Sequence, residues 1–201
     1  MLSIYALKPA FQQLLRPIMS ALARAGVTAN QVTVATVVVS AGTGLALFLR
    51  PETPAMWLLL PIVLLLRMGL NAIDGMLARE HNMESRLGTI LNELGDVISD
   101  AALYLPFAVV PGLSSAVVVT IALLAVMSEM TGVVGVQIGA NRRYDGPMGK
   151  SDRAVVFGTI GLALGLGVPV GAWLQAILGM IVVLLVMTIV NRAHRALEVA
   201  R

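Results

Sequence analysis

Residues 71–100 read NAIDGMLAREHNMESRLGTILNELGDVISD. The stretch holds Asn71, Asp74, Asn92, Glu93, Asp96 and Asp100 inside a chain that is otherwise poor in charge. Of 201 residues, 58% are hydrophobic and 12% charged, with a mean hydropathy of +0.88. A soluble domain carries about 25% charged residues. The apolar runs flanking 71–100 therefore predict helices whose solvent is lipid. A charge near the bilayer centre costs about 2.5–3.5 kcal/mol on insertion scales. Several neighbouring carboxylates also repel one another. Such a cluster needs a positive partner, and a divalent metal held by oxygen ligands supplies one.

Working outward, a hydrocarbon core needs about 20 apolar residues per helix. Six spans satisfy this, at approximately 29–49, 54–79, 85–110, 114–139, 153–168 and 172–191. Thr28 is the expected N-cap of the first, and Arg50-Pro51 ends it. Residues 3–25 predict an amphipathic helix lying in the membrane interface. Its Leu7, Phe11, Leu14, Leu15, Ile18 and Leu22 recur at helical spacing, opposite Lys8, Arg16 and Arg24. This start has the pattern of no cleaved leader. Basic residues cluster before span one, between spans two and three (Arg79, Arg86), between four and five (Arg142, Arg143, Lys150, Arg153) and after six (Arg192, Arg195, Arg201). The opposite loops hold only Arg50. Both termini are thus expected in the cytoplasm. The reading is an all-α integral membrane protein of one domain, residues 1–201. It has six transmembrane helices and one interfacial helix. The chain has no cysteine, which excludes disulfides and thiolate metal sites.

Spacing predicts a single site. Asn71, Asp74 and Ala78 share one face of span two, with Gly75 beside them. Gly88, Asn92, Asp96 and Asp100 recur every four residues on span three. Antiparallel packing through a short turn makes these stripes face each other near the cytoplasmic surface. Gly75, Ala78 and Gly88 leave the face without bulk, which suits tight packing or a ligand close to the backbone.

The order Asn71-x-x-Asp74-Gly75-x-x-Ala78-Arg79, then eight residues, then Gly88-x-x-x-Asn92-x-x-x-Asp96 resembles the mark of the CDP-alcohol phosphotransferase family, D-x-x-D-G-x-x-A-R followed by G-x-x-x-D-x-x-x-D. Six of the eight marked positions match. The segment Val27-Thr28-Ala29-Asn30-Gln31-Val32-Thr33 is similar to the T-P-N-x-x-T opening of the family's first helix. Ala29 stands where proline is usual. The asparagine-bearing motif looks nearest to the YnbA-like bacterial branch.

The resemblance implies phosphatidyl transfer from CDP-diacylglycerol to a polar alcohol, free or phosphorylated, with release of CMP. It implies magnesium or manganese, a homodimer in the bacterial inner membrane, a site open to the cytoplasm, and no nucleic-acid partner. Carried over by position, Asp74 and Asp96 are metal ligands, and Asp96 is also the base for the acceptor hydroxyl. Asn71, Asp74, Gly75, Ala78, Arg79 and Gly88 surround the nucleotide.

Asn71 and Asn92 replace two motif aspartates. An amide oxygen still coordinates magnesium, but two negative charges are lost. Asp100, one turn past Asp96, can return one. Three outcomes stay open: a one-metal enzyme, a two-metal site recruiting Asp100, and a nucleotide-lipid binding or regulatory protein without turnover. A transporter is a further rival, but the polar residues gather at one membrane face instead of along a path. Lys150 and Arg153, with Arg142 and Arg143, are expected to hold a phosphate of acceptor or donor at a helix start. Arg67 and Glu129, deeper in spans two and four, are expected to pair with each other. His81 and His194 read as solvated, and the methionines as core.

Overall fold

The computed structural model describes the backbone of residues 4–199 and the side chains of residues 10–199. Ser3 of the expected amphipathic helix and the basic Arg201 lie outside the described residues, as do the side chains of Leu7 and Lys8. The described residues are helical, with no strand. They form α1 (Ile4–Arg24), α2 (Ala29–Leu49), α3 (Pro54–Trp57), α4 (Leu59–Glu80), α5 (Arg86–Tyr104), α6 (Ser115–Gln137), α7 (Lys150–Gly165) and α8 (Ala172–Val199). Four helical segments are long and apolar enough to cross a membrane: Ala29–Leu49, Pro54–Glu80, Ser115–Gln137 and Ala172–Val199.

The expected first span coincides with α2. Thr28 caps it as a capping box: Gln31 N–H donates to Thr28 Oγ1 at 3.3 Å, and Thr28 N–H donates to Gln31 Oε1 at 2.9 Å. Elsewhere the boundaries differ, and proline explains two cases. Pro61 has no N–H for the carbonyl of Trp57 and its ring crowds that carbonyl, so the second segment breaks at Leu58 into α3 and α4. Pro106 likewise removes the donor that would continue α5. The helix ends at Tyr104, and Leu105–Val109 tighten into a 3₁₀ turn. α7 begins three residues earlier than expected, where Gly149 N–H donates to Asp152 Oδ2 at 2.9 Å. α8 continues past residue 191 to Val199, because its polar last turns remain good helix formers after the apolar run ends.

Neighbouring contacts fix the helix directions. Gly88 lies against Asn30, Gly95 against Thr33 and Val37, and Gly44 against the backbone of Ala102, so α2 and α5 run parallel. α4 runs antiparallel to both, since Asp74 meets Thr33 while Arg67 meets Asp100. α7 returns along α4, with Gly158 on Pro61 and Leu64 and Gly165 on Leu58. A core of Trp57, Tyr104, Phe107 and Phe157 closes one end of the bundle, with Tyr104 and Phe157 stacked at 4.1 Å between ring centres. The polar residues of α4 and α5 gather toward the other end. There α1 packs Leu15, Met19 and Leu22 against Ile73, Met76 and Leu77, and Arg16 pairs with Glu80 at 3.0 Å. Leu14 and Ile18 of α1 stay uncovered at 73% and 53% exposure.

Candidate active site

A cleft of about 670 Å³ opens where the starts of α2 and α5 meet the end of α4. Asn71, Asp74, Gly75, Ala78, Arg79 and Gly88, the residues expected around the nucleotide, all line it, and so does Asn92. The short turn of residues 81–85 brings α4 back as α5, with Asn82 in the left-handed conformation (φ 54) that asparagine tolerates. Ser85 then caps α5 by accepting from Gly88 N–H at 2.9 Å. Gly88 is bare for a reason: a Cβ there would sit 2.7 Å from Asn30 Oδ1 and 3.0 Å from Ser85 Oγ. At Gly75 an added Cβ would meet only the flexible Arg79 guanidinium, at 3.3 Å.

Asp74 is buried, and its Oδ2 accepts from Thr33 Oγ1 at 2.9 Å. Asp96 lies across from it on α5, and the two carboxylates are within Coulombic range of each other and of Lys150. The side-chain contacts of the Asp96 carboxylate all fall on one oxygen, while its backbone carbonyl accepts from Arg67 Nη2 at 2.9 Å. Lys150 Nζ pairs with Oδ1, Asn71 Nδ2 donates to it at 3.2 Å, and Arg67 lies 3.6 Å away. Among the described residues, Oδ2 accepts no hydrogen bond. Asp100 is placed differently from the cleft residues. Arg67 holds its Oδ1, and Arg153 holds its Oδ2 through Nε at 3.0 Å and Nη2 at 2.7 Å. It is buried within this ion-pair cluster behind the cleft.

The four basic residues expected at a phosphate are drawn into ion pairs. Lys150 meets Asp96, as described. Arg153 is completely buried and donates to Glu129 Oε1 at 2.9 Å as well as to Asp100. Arg142 pairs with Glu93 and, at 3.3 Å, with Glu129 Oε2. Arg143 is bound to its neighbour Asp145 at 2.8 Å. The expected Arg67–Glu129 pair does not form. Arg67 takes Asp100 and Asp96, whereas Glu129 takes Arg142, Arg153 and Arg192, the last at 3.4 Å. Helical spacing places each residue on a face but does not say which neighbouring helix that face meets. Arg192 reads in the sequence only as one of the basic residues after span six and Ser128 is not singled out, although Arg192 is buried and donates to the Ser128 carbonyl. Thr33 and Asn30 were visible only as part of a motif, without a role.

The donor chemistry suits one hard divalent cation. Asp74 and Asp96 bring two negative charges, and the Asn71 and Asn92 amides add neutral oxygens. Among the described residues, no group of three or more His, Cys, Asp or Glu side chains is placed to hold a metal. A second ion would lack matching charge, because Asp100 is already neutralised by two arginines.

Bundle and cleft define a polytopic helical membrane protein with a polar, glycine-walled recess at one end. A family model described as CDP-alcohol phosphatidyltransferase matches residues 26–198, and the chain belongs to that family. The inner membrane protein YnbA of Escherichia coli (strain K12) is 46% identical over 196 residues, covering 98% of this chain and 97% of that one. Among solved structures, Mycobacterium tuberculosis phosphatidylinositol phosphate synthase with CDP-DAG bound superposes with a TM-score of 0.76. It is 22% identical and covers 92% of this chain and 94% of that one. The same protein in complex with manganese and citrate gives 0.75 at 22% identity, over 90% and 88% of the two chains. At this identity the two structures establish the shared fold.

Proposed function

We propose that the chain is a phospholipid-synthesis enzyme of the bacterial inner membrane that transfers a phosphatidyl group from CDP-diacylglycerol to a polar alcohol and releases CMP. One observation carries the reading: Asp96 is clamped through Oδ1 while Oδ2 accepts no hydrogen bond, one turn of α5 beyond Asn92, the last residue lining the glycine-walled cleft. Family membership and the fold shared with a protein that binds CDP-DAG and manganese support it.

Asp74, Asp96 and the amides of Asn71 and Asn92 are the residues that would hold a single magnesium or manganese ion. Bound there, the ion would offset the charge of the diphosphate and of the departing CMP. Gly75, Ala78 and Gly88 give the cytidine and diphosphate access to the backbone, and Arg79 offers a cation to the phosphates. Asp96 Oδ2 takes the proton of the acceptor hydroxyl. The hydroxyl oxygen then forms the new bond to the phosphatidyl phosphorus as the bond to CMP breaks. A positioned base contributes typically about 10²–10⁴ in rate. The two-metal reading loses support from the arginines on Asp100.

The test is CMP release by purified protein in CDP-diacylglycerol micelles with a panel of alcohols. Chelation should abolish release, and magnesium or manganese should restore it. Asp96→Asn should lower the rate by at least about 10². Undiminished release from that variant would overturn the role of Asp96. Saturable CMP binding without release from any alcohol would favour the binding-protein reading.

A further inference from the structure

The cluster behind Asp96 bears on which alcohol the site accepts, and the inference rests on the transferase reading above. Three guanidiniums converge on one internal carboxylate. Arg153 Nη2 lies 2.9 Å from Glu129 Oε1, and Arg142 Nη2 and Arg192 Nη1 lie 3.3 and 3.4 Å from Oε2. Glu129, Arg153 and Arg192 are 7%, 0% and 1% exposed. Several guanidinium forks around one point are the arrangement that holds a phosphate monoester, with its charge of about −1.5 to −2 and its acceptor oxygens. In this chain a side chain of the protein already fills that point.

The cluster is also coupled to the base. Arg142 pairs with Glu93, one helical turn before Asp96 on the same helix. Ion pairs then run without a gap from Lys150 through Asp96, Arg67, Asp100 and Arg153 to Glu129. Counting Arg142, Arg192, Glu93 and Asp74 with these, five cations face five carboxylates. Within this cluster no positive charge is left over for a dianion, and Arg79 and the divalent ion are matched to the diphosphate. An incoming phosphate would have to displace Glu129 or sit against four other carboxylates.

We propose that Glu129 determines acceptor specificity: it occupies the anion position among Arg142, Arg153 and Arg192, so the acceptor is an alcohol without a phosphate group. A free polyol or amino alcohol needs only hydrogen bonds in this balanced surrounding. Removing the charge of Glu129 leaves the three guanidiniums, two of them buried, without this counter-anion and available to a phosphate.

The experiment has an activity arm and a binding arm. In the first, CMP release is measured with glycerol, inositol and serine and with the phosphate monoesters of the same compounds. Wild type should favour the free alcohol by at least about tenfold in kcat/KM, and Glu129→Gln should shrink that preference by at least about tenfold. In the second, thermal unfolding is followed with and without inorganic phosphate, in EDTA and saturating CMP. Phosphate should raise the Tm of Glu129→Gln by several degrees and leave wild type unchanged. A wild type that favours phosphomonoesters, or that phosphate stabilises directly, overturns the proposal. Should Glu129→Gln not fold, these two wild-type measurements decide alone. If wild type releases no CMP with any alcohol while phosphate stabilises only Glu129→Gln, the transferase reading falls and the filled anion site stands.

Discussion

Thr33 reaches Asp74 from a different helix and fixes one of its two oxygens. A hydrogen bond to a charged group contributes about 1.5–3 kcal/mol. Thr33→Val keeps the shape and removes that bond. The magnesium concentration for half-maximal CMP release should therefore rise by about tenfold or more, with the fold intact. An unchanged metal requirement would show that Thr33 does not orient Asp74. Arg153 presents the opposite case, a residue whose weight is structural. It is fully buried between Asp100 and Glu129, and breaking a buried pair leaves uncompensated charge at about 3–5 kcal/mol. Arg153→Met should lower the unfolding midpoint in detergent sharply. The pair of Arg16 with Glu80 is exposed, and such pairs are worth about 0–1 kcal/mol. Arg16→Ala should leave the midpoint nearly unchanged. Equal losses for the two variants would refute the structural role given to Arg153.

At the scale of elements, small residues set the helix spacing. Gly88, Gly95 and Ala102 recur every seven residues on α5 and meet Asn30, Val37 and Gly44, which recur every seven on α2. A period of seven keeps one seam in register along two parallel helices, and without bulk the backbones approach closely. A Cβ at Gly44 would lie 2.0 Å from the Ala102 carbonyl oxygen, whereas Gly42 on the same helix faces open space. Gly44→Ala should therefore destabilise the bundle by about 1–3 kcal/mol or more and widen the cleft at the other end of the seam. Gly42→Ala should be neutral. Unfolding midpoints of the pair check this directly. Gly88 is legible in the sequence as a cleft residue but the seam is not, because a glycine in a lipid-facing run carries no sign of its neighbour. Thr28, Asp74 and Asp96 were legible because capping and stripe spacing are local rules. The partners of Arg67 and Glu129 were not, since they depend on which helices touch. The breaks at Leu58 and Tyr104 could have been read from Pro61 and Pro106, but hydropathy alone ran across both.

At the scale of the molecule, the open point is how many helices cross the bilayer. α5 and α7 fall outside the apolar set, one for its acids and the other for its 16 residues. Yet α5 follows α2 from Asn30 to Gly44, most of the length of that apolar helix. At 1.5 Å per residue its 19 residues reach about 28 Å, close to the hydrocarbon thickness of about 30 Å. α7 is short because it starts at the level of Asp96 and ends beside Leu58. Helices α2, α4, α5, α6, α7 and α8 alternate in direction, with the acids, the cleft and the basic residues toward one end. Six crossings would put that end in the cytoplasm, in line with Arg142, Arg143 and Lys150 in the loop before α7. Crossing only by the four apolar segments would put that loop outside. The chain has no cysteine, so single-cysteine variants report cleanly. Both arrangements place Glu52→Cys outside and His81→Cys inside, which calibrates a membrane-impermeant maleimide on intact cells. Asn141→Cys separates them. We expect it to stay unlabelled until the membrane is permeabilised; labelling in intact cells would mean that α5 and α7 do not cross, and that the loop carrying Arg142 lies on the opposite side of the membrane from the turn between α4 and α5.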